Sequence, residues 1–155
     1  VLETVAELRA RGMKVGSTTG YTDKMMAVVT AEAARQGYAP DAWFSPDSVQ
    51  GLGRPYPYMI YANMQKMRID SVYSVVKVGD TLADIKEGKN AGVKTLGVIE
   101  GSSALGLCQA EFEALPAEEK STLTDKVRKM YLAAGADGVL YNLAELPGWL
   151  EAADE

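Results

Sequence analysis

The chain has 155 residues and a formal net charge of −5, and 47% of its residues are hydrophobic and 24% charged. That length suits one domain with a stable core, and the acidic balance argues against a nucleic acid or an anionic membrane as a partner. The chain has no histidine, which excludes from it a histidine-based catalytic triad, a histidine-ligated zinc ion and a histidine general base. Its single cysteine, Cys108, excludes an internal disulfide and fits a reducing compartment, so we expect a cytoplasmic location.

Helical and strand patterns alternate in the first part of the chain. Apolar spacing predicts an opening helix, a strand that runs into a turn, and a second helix with Thr22 as its N-cap. A short strand and a glycine- and proline-rich connection follow, and Pro57 fits the first position of a third helix. These elements are predicted at 2–11, 13–20, 22–36, 42–45 and 57–67.

The same alternation continues to the end, with elements predicted at 72–79, 82–91, 93–99, 116–134, 138–141 and 143–152. Strands that alternate with helices predict an α/β domain with a doubly wound parallel sheet. Several methionine and aromatic residues fall at helical spacing and are interpreted as core rather than ligand contacts. These residues are Met25, Met26, Met59, Tyr61 and Met64.

The stretch 75–84 organises the chain. Its β-branched run predicts a fully buried strand, which ends at Gly79 and Asp80, where open α/β sheets hold their ligands. Asp84 follows about one helical turn later on the same face. Two carboxylates placed in this way can hold Mg²⁺, which takes few protein carboxylates and keeps waters. The alternative is that Asp80 only caps the helix.

A phosphate site is predicted where three other polar groups join this acidic pair. The Thr19 hydroxyl and the Gly20 N–H can donate to phosphoryl oxygens, and Arg54 offers a fork of donors that matches an oxyanion. Mg²⁺ at the carboxylates would neutralise charge on the same group. Each residue also has a structural interpretation: Thr19 as a strand-end residue, and Arg54 as a solvated turn residue.

The order of Thr19, Arg54 and the string Gly79-Asp80-Thr81-x-x-Asp84 resembles the second, third and fourth motifs of the haloacid dehalogenase superfamily. Most members have lysine at the third motif, where this chain has Arg54. The resemblance runs from the opening helix nearly to the end. The strings at 16–22, 53–57, 78–81, 101–103 and 105–107 are similar to the branch that hydrolyses a carbon–phosphorus bond in a small phosphonate.

The resemblance implies a Rossmann-like, doubly wound parallel sheet of the haloacid dehalogenase type, a small-molecule phosphonate substrate and Mg²⁺ as cofactor. It implies that Asp80 is a metal ligand and that Asp84 belongs to the metal site, through water. It places Tyr21 towards the part of the substrate that forms a Schiff base. The residues implied to bind the phosphoryl group are Thr19, Gly20 and Arg54, and the catalytic set is Thr19, Arg54 and Asp84.

Two parts of the motif set have no match in this chain. In the superfamily, an aspartate nucleophile follows the first core strand, and in this branch a cap domain carries the Schiff-base lysine. Lys77 is expected in a buried strand, and Lys24, Lys86 and Lys89 on solvated helix faces, so none takes the second role. We therefore expect residues 1–155 to be the C-terminal part of one core domain, truncated before Val1 and inactive alone.

Without the central first strand, the strands at Thr19 and Asp80 would each keep an unpaired inner edge, which favours aggregation. The resemblance implies a homodimer for the full-length protein, formed through the cap. Two other functions stay open: a general phosphatase of the same superfamily, and a degenerate domain that binds Mg²⁺ and phosphate without chemistry. A flavodoxin-like or receiver domain would share the architecture.

Overall fold

Helices and strands alternate in the computed structural model, which describes residues 1–154. The helices are α1 (Leu2–Ala10), α2 (Asp23–Arg35), α3 (Tyr58–Met67), α4 (Leu82–Ala91), α5 (Gln109–Glu113), α6 (Ala117–Ala133) and α7 (Leu146–Asp154). The strands are β1 (Gly16–Thr18), β2 (Ala42–Phe44), β3 (Val76–Gly79), β4 (Lys94–Val98) and β5 (Gly138–Leu140). Short 3₁₀ turns lie at Pro46–Val49, Val72–Ser74, Ser103–Leu105 and Leu143–Glu145.

The strands form two parallel sheets. One contains β1 and β2, and the other has the order β3-β4-β5. Within residues 1–154, β1 and β3 each pair on one side only, and their free edges border a groove of about 1080 Å³. The predicted parallel α/β fold with two unpaired inner strand edges is therefore confirmed.

Helices cover both faces of the β3-β4-β5 sheet. One apolar cluster joins the sheet to α1 and α7, and a second joins it to α4 and α6. The first contains Leu8, Leu96, Leu140, Leu146 and Leu150. The second contains Ile85, Ile99, Leu105, Phe112, Val127 and Tyr131. No helix among the described residues is long and apolar enough to cross a membrane.

Strand β3 differs from its prediction in length and in burial. Its first predicted residues, Val72–Ser74, form a 3₁₀ turn, and pairing begins at Val76. All four residues of β3 are half-buried rather than fully buried. The cause is the groove, which leaves the edge of β3 opposite β4 open.

Other corrections concern the surface and the helix ends. Met25 and Tyr61 were predicted in the core but are 48% and 40% exposed, because α2 and α3 turn these positions outwards. Helix α3 begins one residue later than predicted, with Pro57 as its N-cap. The closing helix starts as a 3₁₀ turn, and the five-residue helix α5 was not predicted at all.

Candidate active site

Three segments that are distant in sequence meet at the carboxyl ends of β1 and β3. Arg54 contacts the Gly20 turn on one side and Asp84 of α4 on the other, and Asp84 in turn contacts the backbone of Asp80. Arg54, Asp80 and Asp84 also line the groove between the two sheets. A continuous chain of contacts therefore joins Gly20, Arg54, Asp84 and Asp80.

The guanidinium of Arg54 is bound to Asp84 and lies close to the turn at Gly20. Its Nη1 donates to Asp84 Oδ1 at 2.8 Å, and the side chain of Arg54 is 25% exposed. A Cβ atom at Gly20 would lie 2.8 Å from Arg54 Nη2, so any other residue there would push the end of the arginine side chain away from the turn. Arg54 precedes Pro55 through a cis peptide bond. Its Nη1 donor is thus used by Asp84, and its Nη2 faces the turn at Gly20.

Asp84 is 4% exposed, and hydrogen-bond donors surround both of its carboxylate oxygens. Oδ1 accepts from Arg54 and lies 3.3 Å from Lys77 Nζ. Oδ2 accepts from Thr81 Oγ1 at 2.8 Å and from the N–H groups of Asp80 and Thr81. Burial alone would raise the pKa of Asp84, but the Lys77 charge, the Thr81 hydroxyl and Arg54 outweigh it and lower the pKa.

The start of α4 fixes the position of this carboxylate. Thr81 is the N-cap: its Oγ1 accepts from Asp84 N at 3.2 Å, and Asp84 Oδ2 accepts from Thr81 N, which completes a capping box. A Cβ atom at Gly79 would overlap Asp84 Cβ, so the strand must end in glycine here. Thr81, and not Asp80, caps the helix. The alternative in which Asp80 is only a cap is therefore wrong.

The Asp80 carboxylate is exposed, and it makes no hydrogen bond or ion pair within the described part of the chain. A free carboxylate at the end of a parallel strand fits Mg²⁺, which needs one or two protein carboxylates and fills its other positions with water and phosphate oxygens. Asp84 fits a direct ligand role less well, because its oxygens already accept several bonds. Its membership of a metal site stays a prediction, and its contacts favour a supporting role.

Thr19 and Tyr21 lie in the turn that carries Gly20. The Thr19 hydroxyl accepts from Tyr21 N at 3.1 Å, and its own hydrogen remains available to donate. Tyr21 is 48% exposed at the surface of this turn. The structure thus puts Thr19 beside the contact chain, and the roles predicted for Thr19 and Tyr21 stay predictions.

Three polar residues near the site were not predicted as part of it: Glu87 and Tyr131 are fully buried, and Lys77 is half-buried. Lys77 and Glu87 lie below Asp84, and the Tyr131 hydroxyl donates to the Val98 carbonyl at 3.1 Å. Burial raises the pKa of Tyr131. A signal for the first pair was present in the sequence: a lysine inside an apolar run, and an acid three residues after Asp84.

Known proteins of one family are similar to this chain in sequence and in fold. A sequence model of the family described as haloacid dehalogenase-like hydrolase matches residues 1–92. The chain belongs to that family, and the resemblance stated from its motifs is confirmed.

The chain is similar to particular members of the family. It is 52% identical over 151 residues to the phosphonoacetaldehyde hydrolase of Parabacteroides distasonis, an alignment that covers 97% of this chain and 57% of that protein. It is 50% identical over 147 residues to the enzyme of the same name from Lysinibacillus sphaericus, an alignment that covers 95% of this chain and 55% of that protein. A crystal structure of a phosphonoacetaldehyde hydrolase-like protein from Oleispira antarctica matches with a TM-score of 0.92 at 32% identity, over 97% of this chain and 54% of that one.

The chain therefore spans a little over half the length of the curated relatives that it matches. The more distant crystal structure of a haloacid dehalogenase family hydrolase from Deinococcus radiodurans contains bound phosphate and sodium. It matches with a TM-score of 0.70 at 23% identity, which supports the shared fold alone.

Proposed function

We propose that this chain forms the phosphoryl- and Mg²⁺-binding part of a phosphonoacetaldehyde hydrolase. The reaction adds water across the carbon–phosphorus bond of phosphonoacetaldehyde and gives acetaldehyde and phosphate. The contact chain from Gly20 through Arg54 and Asp84 to Asp80 carries the proposal. The similarity to phosphonoacetaldehyde hydrolases over nearly all of the chain supports the choice of substrate.

In this proposal, the residues of the chain bind and orient the phosphoryl group. The Thr19 hydroxyl and the Gly20 N–H donate to one side of it, and Arg54 donates from the other. Asp84 does not touch the substrate but keeps Arg54 aimed at the Gly20 turn through the bond at 2.8 Å. Asp80 would hold Mg²⁺, which when bound supplies positive charge against the phosphoryl oxygens.

The groups that attack phosphorus and activate the aldehyde are proposed to come from residues outside this chain. The groove between β1 and β3 supports this part, because two free strand edges face each other across it. A parallel strand inserted there would pair with both edges and would end beside Asp80 and Arg54. A carboxylate at the end of that strand would lie in position to take the phosphoryl group.

A hybrid enzyme tests the proposal. In it, this chain replaces the matching part of the Parabacteroides distasonis relative, and the release of acetaldehyde and phosphate is measured with Mg²⁺. We expect equal amounts of both products from the hybrid and none from this chain alone. Arg54→Met should lower kcat/KM by about two to three orders of magnitude, since it removes a charged phosphoryl contact. The matched control is Arg35→Met, at a surface arginine of α2, which should have no effect.

Two results would contradict this function. A folded hybrid that cleaves phosphate monoesters faster than phosphonoacetaldehyde would identify a general phosphatase instead. A folded hybrid that binds Mg²⁺ and phosphate but turns over neither substrate would identify a non-catalytic binding domain.

A further inference from the structure

A cluster of Lys77, Glu87 and Thr18, in which Glu87 is fully buried and the other two are half-buried, lies beside the candidate site, and no step of the proposed reaction uses it. Lys77 Nζ donates to Thr18 Oγ1 at 2.8 Å and lies 3.0 Å from Glu87 Oε1. Thr18 Oγ1 in turn donates to Glu87 Oε1 at 2.9 Å. Each of the three side chains therefore touches the other two.

The cluster is also connected to the site itself. Lys77 Nζ lies 3.3 Å from Asp84 Oδ1, which is the oxygen that accepts from Arg54. The ammonium group thus donates one hydrogen bond, to Thr18, and forms ion pairs with Asp84 and Glu87. Asp84 Oδ1 consequently contacts two positively charged groups, those of Arg54 and Lys77.

These contacts bridge the gap between the two sheets. Thr18 is the last residue of β1, Lys77 lies in β3, and Glu87 lies in α4, while β1 and β3 share no strand pairing within residues 1–154. The residues directly after Thr18 are Thr19 and Gly20. The bridge therefore fixes the distance between the turn that carries Gly20 and the strand end that carries Asp80.

The two charged groups of the bridge have little contact with solvent. The side chains of Glu87 and Lys77 are 0% and 12% exposed, and Glu87 Oε2 has no hydrogen-bond partner among the described residues. A charge in such a place is costly without its partner, so Lys77 and Glu87 stay together. Two negative charges, Asp84 and Glu87, here balance two positive ones, Arg54 and Lys77.

We propose that Lys77 is a positioning residue, which acts with Thr18 and Glu87 to set the spacing of the two halves of the phosphoryl site. This inference rests on the proposed function for the identity of the ligand. Lys77 does not touch the phosphoryl group. It orients Asp84, and through Asp84 it orients Arg54, while Thr18 ties the Gly20 turn to the same point.

The competing explanation is that Lys77 only neutralises Glu87 in the interior. A double variant separates the two, because Lys77→Met with Glu87→Met removes both charges and keeps the side-chain volumes similar. Replacing a buried ion pair by apolar residues is often neutral or stabilising. The double variant should therefore recover the stability that Lys77→Met alone loses.

The experiment measures urea unfolding and the Kd of inorganic phosphate, with and without Mg²⁺, in the hybrid enzyme. We expect the phosphate Kd to rise about tenfold or more in Lys77→Met and to stay raised in the stable double variant. Thr18→Val should also raise it, and its effect should not add to that of Lys77→Met. Lys86→Met, at an exposed lysine of α4, is the matched control and should change neither quantity.

Recovery of phosphate affinity together with stability in the double variant would overturn the positioning role. The kinetic constants separate this outcome from failure of the proposed function. A hybrid that hydrolyses no phosphonoacetaldehyde, but whose phosphate affinity still falls with Lys77→Met in the stable double variant, would contradict the substrate and support the positioning role. An active hybrid in which Lys77→Met leaves the phosphate Kd and kcat unchanged would support the proposed substrate and contradict the positioning role.

Discussion

Arg54 owes its orientation to neighbours on both sides of its guanidinium group. Asp84 accepts from Nη1, and the absence of a side chain at Gly20 leaves room for Nη2. The remaining N–H donors of Arg54 are left for a ligand. A lysine at this position would present one charge with no fork, so the arginine makes a distinct, planar contact with an oxyanion.

The depressed pKa of Asp84 gives a prediction for acid unfolding. Its ordinary value is 3.8, and the folded-state pKa lies below it. Such a carboxylate stabilises the folded chain above the ordinary pKa, and this contribution is lost as the pH falls through the folded-state pKa. We therefore expect the free energy of unfolding of the hybrid enzyme, measured in urea, to decrease below pH about 4, and to decrease less steeply in Asp84→Asn.

The control for this prediction is Asp70→Asn, which removes an exposed carboxylate that forms no ion pair within residues 1–154. In Asp70→Asn, the free energy of unfolding should depend on pH as it does in the unaltered hybrid enzyme. If Asp84→Asn also kept that pH dependence, the contacts of Asp84 with Arg54 and Lys77 would not matter energetically.

Some residues of the site could be predicted from the sequence, and others could not, for a physical reason. Arg54 and Asp80 were predicted because they stand in ordered motifs, next to a proline turn and at the end of a strand. Lys77 was predicted to be buried, but the sequence does not show its partners. Glu87 was not predicted at all, since an acid on a helix is normally exposed, and only the packing of α4 on β3 buries it.

At the scale of elements, helix α4 connects stability with the site. Its first turn holds Asp84 by the capping box at Thr81, and its last residue precedes Gly92, whose φ of 79° ends the helix. The bounds Leu82–Ala91 match the predicted helix, because both ends carry strong local signals. The position of Asp84 therefore depends on local sequence as well as on tertiary contacts.

A pair of cap variants tests this connection. Thr81→Ala should lower the free energy of unfolding by about 1–2 kcal/mol, because it removes both the cap and a hydroxyl that donates to Asp84 Oδ2. Thr22→Ala at the start of α2 removes a cap that accepts one bond, from Met25 N at 3.3 Å. It should therefore lower the free energy of unfolding by less than Thr81→Ala does. Urea unfolding of both variants measures the difference, and an equal or larger loss in Thr22→Ala would contradict the additional role of Thr81.

Strand β3 shows why other elements were placed less well. The run from Val72 to Val78 is rich in β-branched residues, so its pattern predicts one long strand. Ser71 instead caps a 3₁₀ turn by accepting from Tyr73 N at 3.2 Å, and this local bond competes with the strand. Helix α5 has only five residues, which is too short for its periodicity to stand out.

At the scale of the whole molecule, the main feature is the groove between the two sheets. β1 and β3 belong to two different sheets, their free edges border the groove within residues 1–154, and β3 is half-buried beside it. This arrangement was predicted from the family resemblance and not from hydrophobic periodicity, which gives strands but not their order. Open edges of this kind pair readily with other strands, so we keep the prediction that the isolated chain aggregates.

The central claim is that Arg54 and Asp80, on either side of Asp84, serve one ligand. Binding of inorganic phosphate to the hybrid enzyme, titrated at increasing Mg²⁺ concentrations, tests it most directly. We expect Mg²⁺ to strengthen phosphate binding, Arg54→Met to weaken it about ten- to a hundredfold, and Asp80→Asn to remove the effect of Mg²⁺. Asp125→Asn, at an exposed position of α6, should bind as the unaltered hybrid does. If both site variants kept the original phosphate affinity and its dependence on Mg²⁺, these residues would not share a phosphoryl group and the account would be wrong.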